Sequence, residues 1–184
     1  KISKLAVLTS GGDAPGMNAA IRSVARSCSH YGIQCFGVSR GYQGLIEGKI
    51  KPLGTRSVKN ILNKGGTILK SARSKEFMTK EGRLKAYVTL INHEINNLVV
   101  IGGDGSFTGG YIFENEFGVS VVGIPGTIDN DIFGTDSTVG YDTALNTVVE
   151  AIDKIRDTAI SHNRLFFVEV MGKDAGHILS LIHI

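Results

Sequence analysis

Short apolar runs that alternate with stretches of helical periodicity constrain the fold of this chain most strongly. The runs end at glycines or polar turns, are rich in β-branched residues, and occupy residues 5–8, 35–38, 98–101, 119–124 and 165–170. Runs of this kind are typical of buried strands. The segments between them repeat apolar residues at the spacing of one helix face, as in Ile21, Val24, Ala25, Cys28 and in Val148, Ile152, Ile155, Ala159.

Strands that alternate with helices predict a parallel sheet covered by helices on both faces. We therefore expect an α/β protein with a doubly wound, mostly parallel sheet, whose ligands collect at the carboxyl ends of the strands. A soft boundary near Gly140 separates a first α/β domain, residues 1–140, from the beginning of a second and incomplete α/β domain, residues 141–184.

The charge of the chain is spread along its length. The 184 residues carry a formal net charge of +3, with no basic run and no block of charge. Binding to nucleic acid or to an acidic membrane surface needs clustered cations, so we expect neither as a partner. Small anionic ligands fit this distribution better.

The cysteines and the hydropathy pattern indicate the compartment. Cys28 and Cys35 form no C-x-x-C pair and lie in apolar segments, so we expect reduced, buried thiols. No charged leader opens the sequence, and no apolar run approaches the ~20 residues of a membrane span, which predicts a cytoplasmic protein. Lys1 in place of methionine and the ending at Ile184 suggest a fragment.

Two carboxylates stand two residues apart directly after the fourth apolar run. Residues 125–131 read PGTIDND, which puts Asp129 and Asp131 at the end of a parallel strand. We interpret Asp129 as a general base for an attacking hydroxyl, with Asp131 tuning its charge or supporting a metal site. The alternative is a turn in which these residues and Asn130 bond only their own backbone.

A second turn of small residues with one acid follows the third apolar run. Residues 102–106 read GGDGS, so Asp104 stands among glycines at another strand end. Mg²⁺ prefers one or two carboxylates together with phosphate oxygens, and glycines leave room for phosphates. This turn predicts a magnesium ion beside a nucleotide. The alternative is that Asp104 or Ser106 only caps the next helix.

A third glycine turn joins the first strand to a helix. Residues 9–18 read TSGGDAPGMN, and the paired glycines let backbone N–H groups approach an anion near the helix start. The turn matches neither the dinucleotide fingerprint nor the P-loop pattern, so a purely structural tight turn stays open as an alternative.

Three arginines are candidates for binding phosphate. Arg22 and Arg26 lie four residues apart and share one helix face, which suits a phosphate-bearing effector, although a solvated face is the commoner explanation. Arg73 follows the glycines at 65 and 66 and could neutralise a phosphoryl group in transfer, or be an ordinary surface residue.

These segments, together and in this order, resemble the 6-phosphofructokinase family, and in particular its bacterial ATP-dependent branch. The resemblance spans residues 5–176 and includes residues 134–136 (GTD) and 169–172 (EVMG). From about His177 onward it is expected to stop, with residues 178–184 foreign to the family. The resemblance implies transfer of the γ-phosphoryl group from magnesium-bound ATP to the 1-hydroxyl of fructose 6-phosphate, a step of glycolysis.

The resemblance also implies roles for individual residues. The residues that would contact ATP are Gly12, Tyr42, Arg73, Ser74, Gly103, Asp104, Gly105 and Ser106. Asp104 would also bind the magnesium ion. Those that would contact the sugar phosphate are Thr127, Ile128, Asp129, Arg164, Met171, Gly172 and Lys173. Catalysis would rest on Asp129, Asp131, Thr127 and Arg73.

Regulation and assembly are implied in the same way. An effector site for ADP or phosphoenolpyruvate would comprise Arg22, Arg26, Arg56 and Arg156, and Arg164 would reach the sugar phosphate of a neighbouring subunit in a homotetramer. This implication reverses the preference for a solvated face at Arg22 and Arg26.

Gly105 and Gly126 favour ATP over pyrophosphate as the donor. Relatives that use pyrophosphate carry aspartate and lysine at these positions, and a carboxylate at 105 would crowd and repel the α-phosphate. Lys173 departs from the family's arginine, which keeps the charge but loses a planar grip on phosphate and implies weaker catalysis. The family's remaining sugar ligands are missing, so this chain alone is expected to show little turnover. The alternatives are a non-catalytic nucleotide- or effector-binding module and a pyrophosphate-dependent enzyme.

Overall fold

The computed structural model of the chain describes residues 2–182. Its strands are β1 Lys4–Thr9, β2 Gln34–Val38, β3 Ile50–Pro52, β4 Asn97–Gly102 and β5 Ser120–Pro125. Its helices are α1 Met17–His30, α2 Gly41–Ile46, α3 Lys80–Asn92, α4 Asp104–Phe117, α5 Tyr141–His162 and α6 His177–Ile182, with a single 3-10 turn at Glu76–Met78. Among the described helices, none combines the length and the hydrophobicity that a membrane span requires.

The strands form one sheet in the order β3-β2-β1-β4-β5. β1 pairs in parallel with both β2 and β4, and β4 pairs in parallel with β5, while β3 runs antiparallel to β2. From β1 the chain first adds β2 and β3 on one side and then adds β4 and β5 on the other side. The direction in which strands are added therefore reverses between β1 and β4. Such a switch point leaves a crevice at the carboxyl ends of the strands. The predicted mostly parallel, doubly wound sheet is confirmed.

Both faces of the sheet are covered, which explains why its central strands are apolar throughout. Val7 and Val99 pack on one face with α1, in a cluster that includes Ile21, Ala25 and Cys28. Leu8 and Val100 point to the opposite face, which packs on Tyr42, Leu45, Ala86, Leu90 and Phe113 from α2, α3 and α4. A fully buried Leu, Val or Ile contributes ~1.5–3 kcal/mol, so these two layers supply most of the driving force for folding.

The two cysteines lie where the sequence predicted them. Cys28 and Cys35 are both free and buried. Burial raises the pKa of the Cys35 thiol to about 12, helped by the nearby Cys28. Both thiols therefore stay protonated near neutral pH and behave as apolar side chains.

The predicted strand at residues 165–170 is wrong. These residues follow α5 without pairing to any strand in the described part of the chain, and Leu165 and Phe167 are 81% and 93% exposed. A strand exists only through hydrogen bonds to a neighbour, and no neighbour meets this apolar run. The boundary near Gly140 stays a prediction; that glycine has a φ of 103° and precedes α5 as its N-cap.

The sequence analysis did not predict α6, and it missed α2, β3 and α3 because their local patterns are weak. α2 and β3 have only six and three residues. α3 buries Ala86 and Leu90 but leaves Leu84, Val88 and Ile91 between 43% and 49% exposed, so apolar residues lie around it rather than on one face. The long helix α5 was predicted correctly, although none of its residues is fully buried.

A charged pair joins α3 to α4. The buried Arg83 donates from Nε and Nη2 to the two carboxylate oxygens of Glu116, at 2.6 and 2.8 Å. Its Nη1 donates to the carbonyl oxygens of Phe77 and Met78 at 3.1 and 2.8 Å. The two-point geometry suits the planar guanidinium and anchors the turn before α3 to both helices.

This pair predicts an acid-dependent part of the stability. Hydrogen bonds from Arg83 lower the pKa of Glu116 below its ordinary value. The stabilisation is therefore complete above the ordinary carboxyl pKa and is lost as the pH falls through the lowered folded value. We expect Glu116→Gln to lower the melting temperature near neutral pH and to flatten its fall between pH ~6 and ~3, measured by calorimetry. Glu81→Gln, at the start of the same α3 helix, is the control. Equal pH slopes for the Glu116 variant and the unsubstituted protein would contradict the assignment.

Candidate active site

The three glycine and acid turns singled out in the sequence meet at the carboxyl edge of the sheet. Ser10, just past β1, donates its backbone N–H to Ile101 O in β4 at 3.0 Å. Gly126, just past β5, donates its N–H to Gly102 O at 2.9 Å. Adjacent parallel strands therefore deliver the turns at residues 9–16, 102–106 and 126–131 side by side.

The first turn packs tightly against its neighbours but leaves open space at one glycine. A Cβ added at Gly16, which has a φ of +88° and precedes α1, would stand 2.8 Å from Val139 Cγ1. A Cβ at Gly12 would meet nothing within 4 Å. The turn thus packs against Val139 at Gly16 and has free space at Gly12. An anion-binding turn at the start of a helix needs such space beside its backbone N–H groups.

The second turn interlocks with the first through Ser106. A Cβ on Gly102 would lie 2.6 Å from Ser10 O and 2.8 Å from Ser106 Oγ, and one on Gly11 would lie 3.5 Å from the same hydroxyl. Only glycine at position 102 allows so close an approach.

The side chains in this turn do not cap α4. The N-cap of α4 is Gly103, and no side chain accepts a hydrogen bond there. Asp104 is exposed in the first turn of the helix, and the space around a Cβ at Gly105 is empty to 4 Å. The capping interpretation of Asp104 and Ser106 therefore has no hydrogen bond to support it. The exposed carboxylate of Asp104 stands beside open space and is of the ligand type that Mg²⁺ prefers.

The third turn brings the paired acids to the same edge. A Cβ on Gly103 would lie 3.7 Å from Thr127 Cβ, so the second and third turns are in contact. Within the third turn, Asp129 donates its backbone N–H to Thr127 Oγ1 at 3.2 Å. The Asp129 carboxylate accepts no hydrogen bond from any of the described residues 2–182. The side chains that bond backbone groups in this turn are thus those of Thr127 and Asn130. In the described part of the chain, the carboxylates of Asp129 and Asp131 accept no hydrogen bond from the backbone of the turn.

Lys173 pairs with the second acid. Its ammonium donates to Asp131 Oδ2 at 3.1 Å, and that hydrogen bond, with a smaller contribution from the charge of Asp129, raises the pKa of Lys173. Lys173 has a φ of 52°, a left-handed conformation that few non-glycine residues adopt. The residues before it, Met171 and Gly172, lie in the same connection, and Met171 is 74% exposed.

Other members of the predicted sugar-binding set lie apart from the open edge. Ile128 packs against the core cluster beneath α1 rather than lying free beside Asp129. Arg164 is exposed just beyond α5 and donates its N–H to Ala159 O at 3.0 Å. The described residues thus bring Thr127, Asp129, Asp131 and Lys173 together, without joining Arg164 to them.

Two residues predicted to contact ATP, Tyr42 and Ser74, form hydrogen bonds with other residues of the chain. Tyr42 is 4% exposed, stacks on Phe77 with ring centroids 3.9 Å apart, and donates its hydroxyl to Ser106 O at 2.7 Å. Burial raises the pKa of Tyr42, so its phenol stays protonated as that donor. Ser74 donates its hydroxyl to Gln43 Oε1 at 2.7 Å and accepts Phe77 N–H at 3.1 Å. Tyr42 therefore supports the glycine turn directly, while Ser74 links Gln43 of α2 to Phe77.

The loop that carries Arg73 is fastened by polar residues that the sequence analysis missed. The amide of Asn18, 1% exposed, donates to Lys64 O and Gly65 O at 2.9 and 3.2 Å and accepts Ile68 N–H at 2.8 Å. Thr9 Oγ1 lies 3.0 Å from Thr67 Oγ1 and donates to Lys70 O at 3.0 Å.

A signal for Asn18 was present in the sequence. It shares the apolar face of α1 with Ile21, Ala25 and Cys28, and a polar residue on a buried face must find partners. Its partners could not be named, because they lie more than forty residues away in the chain.

A separate basic pocket lies at the start of the loop after β3. It has a volume of about 230 Å³ and is lined by Arg22, Arg26, Thr55, Arg56, Val58 and Lys59. Three of the four predicted effector residues therefore share one cavity, together with a lysine that the sequence analysis did not single out. The fourth, Arg156 on α5, is not in this lining and pairs with Asp153 instead.

Comparison with known proteins identifies the relatives of this chain. The family model described as "Phosphofructokinase" matches residues 4–183. The resemblance was expected to end near His177, and that expectation is wrong, although His183 and Ile184 lie outside the described residues. The chain is 61% identical over 174 residues to ATP-dependent 6-phosphofructokinase 2 of Bacteroides thetaiotaomicron, covering 95% of this chain and 53% of that protein. It is 58% identical over 177 residues to ATP-dependent 6-phosphofructokinase 1 of Thermus thermophilus, covering 96% and 55%.

Solved structures show the same fold. Phosphofructokinase from Saccharomyces cerevisiae superposes with a TM-score of 0.92 at 44% identity, covering 96% of this chain and 27% of that one. A pyrophosphate-dependent phosphofructokinase from Marinobacter aquaeolei superposes with a TM-score of 0.78 at 22% identity, covering 96% and 48%, which bears on the fold alone. The chain spans about half the length of the curated relatives it matches. Because the family model matches residues 4–183 and a solved phosphofructokinase superposes with a TM-score of 0.92, this chain belongs to the phosphofructokinase family.

Proposed function

We propose that this chain is the amino-terminal part of an ATP-dependent 6-phosphofructokinase. The full-length protein transfers the γ-phosphoryl group of ATP to the 1-hydroxyl of fructose 6-phosphate, releasing ADP and fructose 1,6-bisphosphate. The observation that carries the proposal is the meeting of three turns at one sheet edge, with open space at Gly12 and Gly105 and with Gly103 in contact with Thr127 of the acid turn. The curated relatives named as ATP-dependent enzymes support the same reaction.

The turns divide the work of binding and proton transfer. Backbone N–H groups around Gly12 and Gly103 bind the phosphates, since glycine lets the backbone approach them closely. Asp104 would hold Mg²⁺ beside the phosphates, and the ion would neutralise charge on the transferring group. Arg73, on the loop fastened by Asn18, adds positive charge at the same group.

The acid turn acts on the sugar. Asp129 accepts the proton of the 1-hydroxyl as the oxygen forms its bond to the γ-phosphorus and the bond from that phosphorus to the β,γ-bridging oxygen breaks. Thr127 holds the turn by accepting the Asp129 N–H. Lys173, which pairs with Asp131 in this structure, supplies a cation beside the incoming sugar. Met171, Gly172 and Arg164 complete the sugar site on the strength of the family resemblance.

The basic pocket carries the regulatory part of the proposal. Its lining contains Arg22, Arg26 and Arg56 without a carboxylate, which suits the phosphates of ADP or phosphoenolpyruvate as effector. A role for Arg156, and for Arg164 across the subunits of a homotetramer, rests on the family resemblance.

A coupled assay on the full-length protein tests the reaction. With ATP, fructose 6-phosphate and Mg²⁺ present, we expect fructose 1,6-bisphosphate to form, and chelation of the metal to stop its formation. ATP binding without consumption of the sugar phosphate would instead favour a non-catalytic nucleotide-binding module.

Gly105 supplies the prediction on donor choice. A Cβ added at Gly105 would meet nothing within 4 Å, and a carboxylate there would stand near the α-phosphate of ATP. Like charges ~4 Å apart repel by ~4 kcal/mol at an effective dielectric of ~20. We expect Gly105→Asp to lower kcat/KM for ATP by about 10²–10³-fold. Gly105→Asn, of equal size and without charge, separates repulsion from crowding. If the aspartate variant used ATP as well as the unsubstituted enzyme, the argument for ATP from space would fail.

A further inference from the structure

The amide of Asn130 joins the acid turn to the segment that follows it. Its Oδ1 accepts the backbone N–H of Thr138 at 2.9 Å, and its Nδ2 donates to Asp136 O at 3.3 Å. One partner is a backbone donor and the other a backbone acceptor, so the amide has only one orientation that satisfies both. Asn130 stands between Asp129 and Asp131 in the chain and spans eight residues with this contact.

Thr138 completes the connection from the other side. Its side chain is buried, with the residue 4% exposed, and its hydroxyl donates to Thr127 O at 2.6 Å while lying 3.2 Å from Asn130 Oδ1. The next residue, Val139, donates its N–H to Pro125 O at 2.8 Å and bridges to Gly126 in parallel. The acid turn is therefore held at its start, by Thr138 and Val139, and at its centre, by Asn130.

The backbone at Asn130 explains why an asparagine suits this position. Its φ is 51°, in the left-handed region that asparagine and aspartate adopt more readily than other residues with side chains. Aspartate would keep this conformation but would lose the donor to Asp136 O and place a third carboxylate between two others. A neutral amide satisfies the backbone and adds no charge beside the acids.

We propose that Asn130 and Thr138 are positioning residues that orient Asp129 and Asp131 at the open edge of the sheet. They act through the backbone of the acid turn and touch neither substrate. The proposal rests on the phosphoryl transfer proposed above, because the orientation matters for a proton taken from the sugar hydroxyl. Displacing a catalytic group by ~1 Å can cost about 10²-fold in rate, so a small change in this turn has a measurable effect.

Four variants of the full-length protein test the proposal. Asn130→Gly keeps the left-handed backbone and removes the amide, and we expect kcat to fall by about 10–100-fold with the KM for ATP nearly unchanged. Asn130→Asp keeps the shape but loses the donor to Asp136 O, and we expect kcat to fall in the same direction as in Asn130→Gly. Thr138→Val should lose activity, and Thr138→Ser, which retains the hydroxyl, should recover it.

A second readout does not depend on turnover. Amide hydrogen exchange of residues 127–139, followed by mass spectrometry, should be faster in Asn130→Gly and in Thr138→Val than in the unsubstituted protein and in Thr138→Ser. If the unsubstituted protein phosphorylates no sugar, the proposed function fails, and the exchange rates still decide whether these residues hold the turn.

The outcomes that overturn the proposal are defined in the same experiments. A lower melting temperature with unchanged kcat would mean a merely structural role. Unchanged exchange rates in Asn130→Gly would remove the physical basis altogether. Should Asn130→Gly fail to fold, the isosteric Asn130→Asp, which loses the donor to Asp136 O, decides through its kcat and its exchange rates, and unchanged values of both count against the proposal.

Discussion

In the full-length protein, replacing Asp129 by asparagine is expected to lower kcat for fructose 6-phosphate phosphorylation by about 10²–10⁴-fold. Asparagine has the same shape but cannot accept the proton of the sugar hydroxyl. Its backbone N–H would still donate to Thr127 Oγ1, so the turn itself should persist. The KM for ATP should change little, since the proposed nucleotide site is formed by the turns that contain Gly12 and Gly103. Initial rates in the coupled assay, with both substrates varied, separate the two effects.

Two controls sharpen this test. Asp157→Asn removes an exposed acid from α5, far along the chain from the acid turn, and should leave kcat unchanged. Asp131→Asn removes the partner of Lys173 and leaves the proposed base, so its loss in kcat should be smaller than that of Asp129→Asn. Equal activity of the Asp129 variant and the Asp157 variant would exclude Asp129 as the base and, with it, the proposed mechanism.

Gly44→Ala is expected to cost about 3 kcal/mol or more in the free energy of unfolding. A Cβ at this position of α2 would stand 1.6 Å from Ser39 O, a backbone atom that cannot rotate away. Gly44 also donates its N–H to Arg40 O at 3.2 Å and accepts Lys49 N–H at 2.7 Å, so relief of the clash would open the α2 turn. Tyr42 lies in the same turn and supports Ser106, which links this loss of stability to the second glycine turn.

Denaturant unfolding of matched variants measures the effect. Gly54→Ala is the control, since a Cβ there meets nothing within 4 Å and its backbone lies outside the left-handed region, so we expect a change within about 0.5 kcal/mol. Similar unfolding free energies for the two alanine variants would mean that Gly44 does not pack tightly against Ser39.

Several parts of the fold and the site were predictable because they depend on neighbours in the sequence. β1, β2, β4 and β5 are runs of apolar residues, and the periodicity of α1 was enough to indicate its buried face. The glycine and acid turns were found by their place after these strands. Since parallel strands end at one edge, their convergence followed from the predicted sheet.

The failures share one cause, which is that a partner distant in the chain decides the outcome. Residues 165–170 have the composition of a strand, yet no strand lies beside them in the described structure. The contact of Tyr42 with ATP stays a prediction, while its hydrogen bond to Ser106 O depends on the packing of α2 against α4. Asn18 and Asn130 showed polarity in the sequence, but their roles depend on which backbone groups lie within reach.

The sequence by itself determined the class of fold, the position of the turns and the family, because apolar periodicity and short motifs are properties of adjacent residues. Only the tertiary structure decided which turns touch, which acid pairs with Lys173, and which three arginines share a pocket. Hydrogen bonds and close packing act over ~3–4 Å, so they are specified once the chain has brought distant residues within that range.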